Sequence, residues 1–355
     1  MKTLYFKKLD TLRFVAFALV FWSHAFANLI DDNLISGIPY IANIFYTGGI
    51  GVHIFFVLSG FLITYLLLQE QKLNNTISIK NFYIRRVLRI WPLYYLILTL
   101  GIFILPAIAN TFHFCGDVVM NLTFLNNFDI PESCHSPNTV IAWSVAVEEQ
   151  FYLVWPILFF LLRNKLKSLF ALCSLIFALS TSYIFIYEAE AYYSTWGNLN
   201  YLMAGCMGAI LYFSNMEKIS SSKMMAKPVF RLVLLAGIIL ILFKPTLDYL
   251  ILSILYTYIV LYLVINNGSR EKPGFISILG KYTYGMYMFH PLIIVLVQIM
   301  FDIMGLDYKT NFLIAGLIVL IALLGTILLS VVSYNYFEKF FLKYKSRFAK
   351  IKTRL

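Results

Sequence analysis

Residues 50–68 decide the fold class, and they read IGVHIFFVLSGFLITYLLL. The run contains no Asp, Glu, Lys or Arg. A helix of about 20 apolar residues is long enough to span the roughly 30 Å hydrocarbon core of a bilayer. Within that core, every backbone N–H and C=O group needs a partner inside the protein, which favours a helix over an open strand. The run therefore predicts a transmembrane helix.

Similar apolar runs recur along the chain of 355 residues. Hydrophobic residues make up 61% of it, charged residues 13%, and the mean hydropathy is +0.79; a typical soluble domain has about 25% charged residues. Ten spans are predicted, at 12–30, 50–68, 90–109, 143–162, 168–187, 198–213, 229–247, 249–266, 276–300 and 312–335. We expect an all-α, polytopic membrane protein with about ten transmembrane helices. Residues 1–338 would form a single transmembrane domain and 339–355 a basic cytoplasmic tail.

The distribution of charge predicts the orientation in the membrane. Basic residues concentrate in the cytoplasmic segments of membrane proteins. If the N-terminus is cytoplasmic, the outside segments contain only Lys244 and Lys309 of the 28 basic residues. With an even number of spans, both termini are then cytoplasmic. Topology thus accounts for the net charge of +11, and we expect no nucleic-acid partner.

The two ends of the sequence and the long outer loop lead to four further predictions, on a signal peptide, a soluble domain, a disulfide and a metal site. No small-residue cleavage site follows the first span, so we interpret it as a retained helix. No soluble domain fits after residue 338. Cys115 and Cys134 lie in the outer loop, 110–142, and whether they form a disulfide stays open. His113 and His135 in the same loop match no zinc pattern, and we expect no metal site.

Polar residues at membrane depth are the candidates for function, because placing charge there is costly. Arg13 and His24 are 11 residues apart in the first span, hence on nearly the same face and roughly 16 Å apart. Histidine is the side chain best suited to removing a proton from a hydroxyl near neutral pH. We therefore predict a catalytic role for His24, against the alternative of a hydrogen-bonded core histidine.

A basic motif begins the third span. Arg86 and Arg89 share one helix face and stand just before Trp91 and Pro92. Arginine forks onto phosphate groups, so this pair predicts a site for an anionic, nucleotide-type ligand at the cytosolic mouth. Arg13, at the same edge of the membrane, is grouped with them. The alternative is that these residues only mark topology.

Two adjacent acids stand near the start of the fourth span. Glu148 and Glu149 point about 100° apart, so they cannot both face one site. Glu148 shares a face with Ser144, four residues earlier. An acid there can also simply complement the helix dipole. We predict that Glu148 is a catalytic-site residue and that Ser144 lies beside it.

The ninth span contains His290 followed by Pro291. Proline removes one backbone hydrogen bond, which predicts a kink and a cavity. His290 suits either a structural bond to the freed carbonyl or a functional role. Ser59, next to Gly60, suits close helix packing. We keep Ser59 and His290 as candidate substrate-site or structural residues.

These motifs, in this order, resemble the acyltransferase-3 family of membrane acyltransferases. The matching pieces are Arg13 with His24, Phe55–Phe61, Arg86 and Arg89 with Pro92, Trp143–Tyr152, His290 with Pro291, and Tyr336–Glu338. The match is dense over 10–156 and loose over 280–340, whereas 165–270 matches only as hydrophobic spans.

The resemblance implies ten helices, acetyl-CoA as a cytosolic co-substrate rather than a bound cofactor, and an essential histidine at His24. It also favours Glu148 over Glu149. Members O-acetylate lipopolysaccharide O-antigens, exopolysaccharides, Nod factors or peptidoglycan. This chain is similar to the stand-alone members, which act on lipid-linked glycans. The implied partners are acetyl-CoA, a glycan or lipid-linked glycan acceptor and membrane lipids, the implied location is the bacterial inner membrane, and a homo-oligomer stays open.

The implied mechanism places donor phosphates on Arg86 and Arg89 and threads the acyl arm toward His24. His24 then deprotonates the acceptor hydroxyl or takes the acyl group itself, and Glu148 orients His24 or the acceptor. The alternative class is a multi-helix transporter of a glycan or small molecule that uses intramembrane His, Arg and Glu. No repeated halves of the kind common in transporters are visible in the sequence.

Overall fold

The structure is a computed structural model that describes residues 5–27, 48–104, 117–129, 141–243, 249–267, 274–306 and 311–349. Within these residues it contains helices and no strands. The ten long helices, numbered α1–α10, are Lys7–Ala27, Gly48–Asn74, Ile79–Thr99, Ala142–Leu162, Leu166–Ile186, Thr195–Ser220, Lys227–Phe243, Tyr249–Ile265, Thr283–Ile303 and Phe312–Ser333. Each predicted span overlaps one of them. The outer-loop residues Cys115, Cys134, His113 and His135 lie outside the described residues.

Seven helical stretches in the described residues are long and apolar enough to cross a membrane. They are Lys7–Phe26, Gly48–Asn74, Ile79–Ile104, Ala142–Leu162, Leu166–Ile186, Phe275–Ile303 and Leu313–Phe348. The stretch Leu250–Ile265 in α8 is apolar but shorter. The chain is therefore an all-α, polytopic membrane protein, and this part of the sequence prediction is confirmed.

Helix α3 begins at Ile79, well before the predicted start at residue 90. Ser78 caps it, since its hydroxyl accepts a hydrogen bond from the backbone N–H of Asn81 at 3.3 Å. The sequence prediction began only where the charged residues stop. In the structure the basic turns belong to the same helix, so Arg86 and Arg89 stand on a rigid element.

Helix α10 continues beyond Ser333 through a wide turn, Tyr334–Glu338, with π-helical hydrogen bonding, into the C-terminal helix Lys339–Lys345. This helix packs against α3. Arg85 Nη1 donates a hydrogen bond to the Phe348 carbonyl at 2.8 Å. The described residues of the predicted tail are thus folded onto the helix bundle.

Helix α2 is central, and it packs against α6 and α1. A Cβ added at Gly60 would lie 2.0 Å from the carbonyl oxygen of Leu202 on α6, and one added at Gly205 would lie 2.1 Å from that of Val57. Only glycine lets two helix backbones approach this closely. This contact fixes the position of α2, and with it that of Ser59.

We expect Gly60→Ala to lower thermal stability, because the added methyl group would push α2 and α6 apart. Overpacking of this kind costs about 1–3 kcal/mol. Gly316→Ala on α10 is the matched control, since a Cβ there meets nothing within 4 Å. The measurement is thermal unfolding of the purified proteins in one detergent. An unchanged melting temperature for Gly60→Ala would contradict the close contact.

Candidate active site

A cavity of about 280 Å³ lies between α1, α2, α3, α4, α9 and the C-terminal part of α10. It brings together six of the eight predicted site residues: Arg13, Ser59, Arg86, Arg89, Ser144 and Glu148. His24 and His290 do not line it. The structure therefore separates the candidates into a polar cavity and a histidine pair.

The carboxylates that line the cavity already have partners. Asp10 Oδ1 lies 2.5 Å from Arg13 Nη1, and Glu70 Oε2 lies 3.1 Å from Arg85 Nη2. Glu338 Oε1 accepts a hydrogen bond from Ser333 at 3.3 Å. Arg13 thus faces the cavity as one half of an ion pair.

Arg86 and Arg89 have no such compensation. Within the described residues, neither side chain lies within 4 Å of a carboxylate. The Arg86 guanidinium lies 5.5 Å from each of the ring centres of Phe82 and Tyr152, and its buried Nε has no hydrogen-bond partner there. Arg89 keeps exposed surface that faces the cavity. Unpaired guanidinium groups in such a place suit an anionic ligand.

Glu148 belongs to a compact hydrogen-bonded cluster. Ser59 Oγ donates to Glu148 Oε1 at 2.5 Å, and the Tyr152 hydroxyl lies 3.1 Å from Glu148 Oε2 and 3.0 Å from Ser59 Oγ. Glu149 points elsewhere, because its Oε2 accepts from Trp91 Nε1 at 2.9 Å. As the helix geometry predicted, the two acids do not share one site.

His24 is partnered by His290. Nδ1 of His24 lies 2.8 Å from Nε2 of His290, and the two ring planes are nearly parallel, at 11° to each other. Nδ1 of His290 lies 2.7 Å from the backbone carbonyl oxygen of Tyr287. In an unbroken helix that carbonyl would accept from the N–H of residue 291, but Pro291 has none. The proline therefore leaves an acceptor free for the His290 ring.

This chain of contacts sets which ring nitrogens carry protons. A carbonyl oxygen only accepts, so Nδ1 of His290 is the donor, and Nε2 of a neutral His290 is left as an acceptor. Nδ1 of His24 must then donate to it. The consequence is an unprotonated Nε2 on His24, which is the form needed to accept a proton or attack a carbonyl carbon.

Tyr287 connects the two halves of the site. Its side chain lines the cavity, and its hydroxyl lies 2.8 Å from Ser144 Oγ. Its backbone carbonyl accepts from His290, and its ring lies 5.7 Å from the His290 ring. The inner end of the cavity is thus next to the histidine pair. Ser144 contributes by holding this tyrosine, and its hydroxyl also donates to the Ile141 carbonyl at 3.1 Å.

Several site residues did not emerge from the sequence. Asp10 could have been found, because it lies three residues before Arg13 and so on the same face. Tyr287 and Lys345 carried no signal, since a tyrosine in an apolar span and a lysine in a basic segment are both common. Glu70 likewise became a site residue only through the packing of the helices, whereas Glu338 belongs to a motif of the family resemblance to which the sequence assigned no role.

Among the residues that the structure describes, no group of three or more His, Cys, Asp and Glu side chains could hold a metal ion. The cavity instead contains cations, hydroxyl groups and carboxylates. The lining suits an anion at the arginine end, and the other end lies next to the His24–His290 pair across Tyr287.

The family model described as an acyltransferase domain matches residues 6–334. The chain belongs to the acyltransferase-3 family. This range includes all eight predicted site residues and most of the cavity lining, and it stops before Glu338, Leu342 and Lys345, which also line the cavity.

Similar proteins are named as acetyltransferases. The chain is 36% identical to the peptidoglycan O-acetyltransferase OatA of Listeria monocytogenes over 124 residues, 31% of this chain and 19% of the relative. It is 28% identical to the O-acetyltransferase OatA of Staphylococcus aureus over 330 residues, 82% of this chain and 52% of the relative. It is also 28% identical to the putative peptidoglycan O-acetyltransferase YrhL of Bacillus subtilis over 215 residues, 55% of this chain and 34% of the relative.

These matches extend over at most about half of the length of those named relatives. No solved structure matches this acyltransferase-3 chain.

The hydrogen-bond chain makes a prediction about tautomers. In the wild-type protein we expect His24 and His290 both to carry their proton on Nδ1. In His290→Ala, His24 loses its acceptor, and the Nε2–H tautomer that free imidazoles favour should become populated. The measurement is ¹⁵N NMR of histidine-labelled protein in lipid, with the His24 signals assigned by their loss in His24→Ala. A wild-type His24 with its proton on Nε2 would contradict the chain.

Proposed function

We propose that the protein is a membrane O-acyltransferase that transfers an acetyl or other acyl group from a cytosolic coenzyme A thioester to a glycan hydroxyl. The observation that carries this proposal is the cavity itself. It joins unpaired arginines at one end to the Tyr287 wall beside the His24–His290 pair at the other, in a chain of an acyltransferase family.

The arginine end supports a coenzyme A donor. Arg86 and Arg89 lack carboxylate partners in the described residues, and coenzyme A carries several phosphate groups on its nucleotide end. Its pantetheine arm is long and thin, which suits a narrow cavity between helices. The thioester is already activated, so transfer needs no ATP. Arg13, neutralised by Asp10, would border this path rather than supply free charge.

The histidine end supports the transfer step. In direct transfer, Nε2 of His24 takes the proton of the acceptor hydroxyl while the hydroxyl oxygen attacks the thioester carbonyl carbon. The carbon–sulfur bond breaks, and the leaving thiolate receives the proton from His24. In the two-step alternative, Nε2 of His24 attacks the thioester carbonyl carbon and the coenzyme A thiolate leaves. The acceptor hydroxyl oxygen then displaces His24 from the acyl group, and the hydroxyl proton passes to the thiolate. Both schemes need the lone pair that His290 leaves on His24, and His290 stabilises the positive charge that develops there.

Glu148 supports a role on the substrate path. Its carboxylate is held by Ser59 and Tyr152 within the cavity, whereas the hydrogen-bond partner of His24 is His290. Between the two roles that the sequence left open for Glu148, orientation of the acceptor therefore fits better than orientation of the histidine.

The acceptor is proposed at the level of a class. The sequence resemblance favours a surface polysaccharide or its lipid-linked precursor, such as O-antigen, capsule or exopolysaccharide. The names of the Listeria and Bacillus relatives add peptidoglycan as a candidate. All of these present sugar hydroxyls outside the cytoplasm, which agrees with a location in the bacterial inner membrane and with cytoplasmic termini.

The direct test uses inverted membrane vesicles supplied with radiolabelled acetyl-CoA. We expect wild-type protein to pass label to a glycan and His24→Ala to lower the rate by about 10²-fold or more, the usual contribution of a general base. The matched control is His53→Phe. His53 is a second buried histidine, stacked on Tyr201 at 4.0 Å, and phenylalanine keeps that stacking.

Retained transfer in His24→Ala would remove His24 from the mechanism. If no label reaches any glycan across a panel of acyl donors and acceptors, the transporter alternative becomes the better description. The identity of the labelled product distinguishes peptidoglycan from the other glycans.

A further inference from the structure

A third cation at the arginine end belongs to no motif. Lys345 ends the C-terminal helix Lys339–Lys345, lines the cavity, and is 8% exposed. Leu342, one turn earlier, is buried on the same face and also lines the cavity. Lys343 on the same helix is exposed. The helix therefore turns one particular lysine inward.

The Lys345 ammonium has no counter-charge. Within the described residues it has no hydrogen-bond partner, and no carboxylate lies within 4 Å of it. Among the charged side chains around it, Arg89, Arg86, Arg85 and Arg13 have the largest effects, and all four carry the same sign as the ammonium. A buried ammonium beside guanidinium groups is unfavourable unless an anion joins them.

The position of Lys345 is held by a separate set of contacts. Arg85 donates to the Phe348 carbonyl at 2.8 Å and pairs with Glu70, and the other oxygen of Glu70 accepts from the Ser78 N–H at 3.0 Å. The charge of Arg85 is thus used to fix the chain after Lys345 against the start of α3. Burying an unpaired lysine costs free energy, and an anionic ligand bound to the ammonium would offset that cost.

We propose that Lys345 is a phosphate-binding residue of the donor site, which together with Arg86 and Arg89 binds the phosphate groups of a coenzyme A thioester. The inference rests on the proposed function, because the donor belongs to it. Coenzyme A carries a diphosphate and a separate 3′-phosphate, and Arg86, Arg89 and Lys345 are three cations of the cavity lining that have no carboxylate within 4 Å in the described residues. Lysine provides a compact point charge next to the two forked arginines.

The same chemistry would suit the phosphate of an anionic lipid headgroup. The test therefore compares both ligands. Coenzyme A and 3′-dephospho-coenzyme A are titrated into detergent-purified full-length protein by calorimetry. Retention of phosphatidylglycerol is followed in parallel by native mass spectrometry.

We expect Lys345→Met to weaken coenzyme A binding by about 10- to 100-fold, as for loss of a hydrogen bond between charged groups. Lys343→Met, which removes an exposed lysine from the same helix, should leave the affinity unchanged. Because the variant at position 345 also removes repulsion among buried cations, we expect the ligand-free Lys345→Met protein to melt at a higher temperature than wild type. A lysine with a merely structural role would not combine higher apparent stability with weaker binding.

The comparison with 3′-dephospho-coenzyme A shows which phosphate group Lys345 contacts. If wild type prefers coenzyme A over the 3′-dephospho form and Lys345→Met loses this preference, Lys345 binds the 3′-phosphate. If both ligands weaken equally, it binds the diphosphate. If Lys345→Met does not fold, Lys345→Gln, which keeps a polar side chain but no charge, replaces it. The same weaker affinity for coenzyme A is then expected.

Equal affinity of wild type and Lys345→Met for coenzyme A overturns the inference. Lost phosphatidylglycerol with unchanged coenzyme A affinity overturns it in favour of a lipid site. If wild type itself does not bind coenzyme A, the proposed donor is wrong and both proposals fail, so the two kinds of failure are distinguishable.

Discussion

An ionised side chain inside a bilayer needs an opposite charge or access to water, and this constraint arranges the interior of the protein. The chain places four arginines and two lysines around one cavity. Asp10 and Glu70 pair with two of the arginines, and Arg86, Arg89 and Lys345 line the cavity without a carboxylate within 4 Å in the described residues. A helix bundle that only had to be stable would gain nothing from such a cluster. The cluster gives the cavity lining more positive than negative side chains, and a lining of this kind suits an anionic ligand.

A second constraint, the missing N–H of proline, connects sequence to chemistry in the outer half of the site. Pro291 frees the Tyr287 carbonyl, and the His290 ring takes its place as the donor to that oxygen. The orientation of His290 then leaves only one way for the His24 proton to point. The backbone hydrogen bond lost at Pro291 thus determines which ring nitrogen of His24, on another helix, carries the proton.

Much of the fold could be predicted because hydrophobic length is a strong local signal. Each of the ten predicted spans overlaps a helix in the described residues, and residues 50–68 lie wholly within α2. Boundaries were less predictable. The start of α3 and the segment after α10 are rich in charged residues, and low hydropathy of this kind usually predicts loops. The first is helical because Ser78 caps α3, and the second is helical because it packs against α3.

For the candidate site too, some features could be predicted from the sequence and others could not. Residues with an unusual cost in lipid, such as Arg86, Arg89 and Glu148, could be singled out one by one. Their partners could not, because the bonds of Glu148 to Ser59 and of His24 to His290 join residues far apart in the chain. The sequence offered two interpretations of His290, a bond to a freed carbonyl and a functional role. The structure supplies that bond together with a second one to His24, so the two interpretations are compatible.

The central claim is that a water-accessible cavity enters the membrane from the cytosolic side and reaches the middle of α2. Leu62→Cys, in a background with the native cysteines replaced, tests it most directly, because Leu62 lines the cavity without polar contacts. Leu153→Cys is the control, since Leu153 is 61% exposed on the outer surface of α4. A charged, membrane-impermeant thiol reagent added to the cytosolic face of sealed vesicles should modify the Leu62→Cys protein and not the Leu153→Cys protein, and coenzyme A should protect the thiol introduced in α2. Modification of that thiol only from the opposite face, or equal modification of the two variants, would contradict the account.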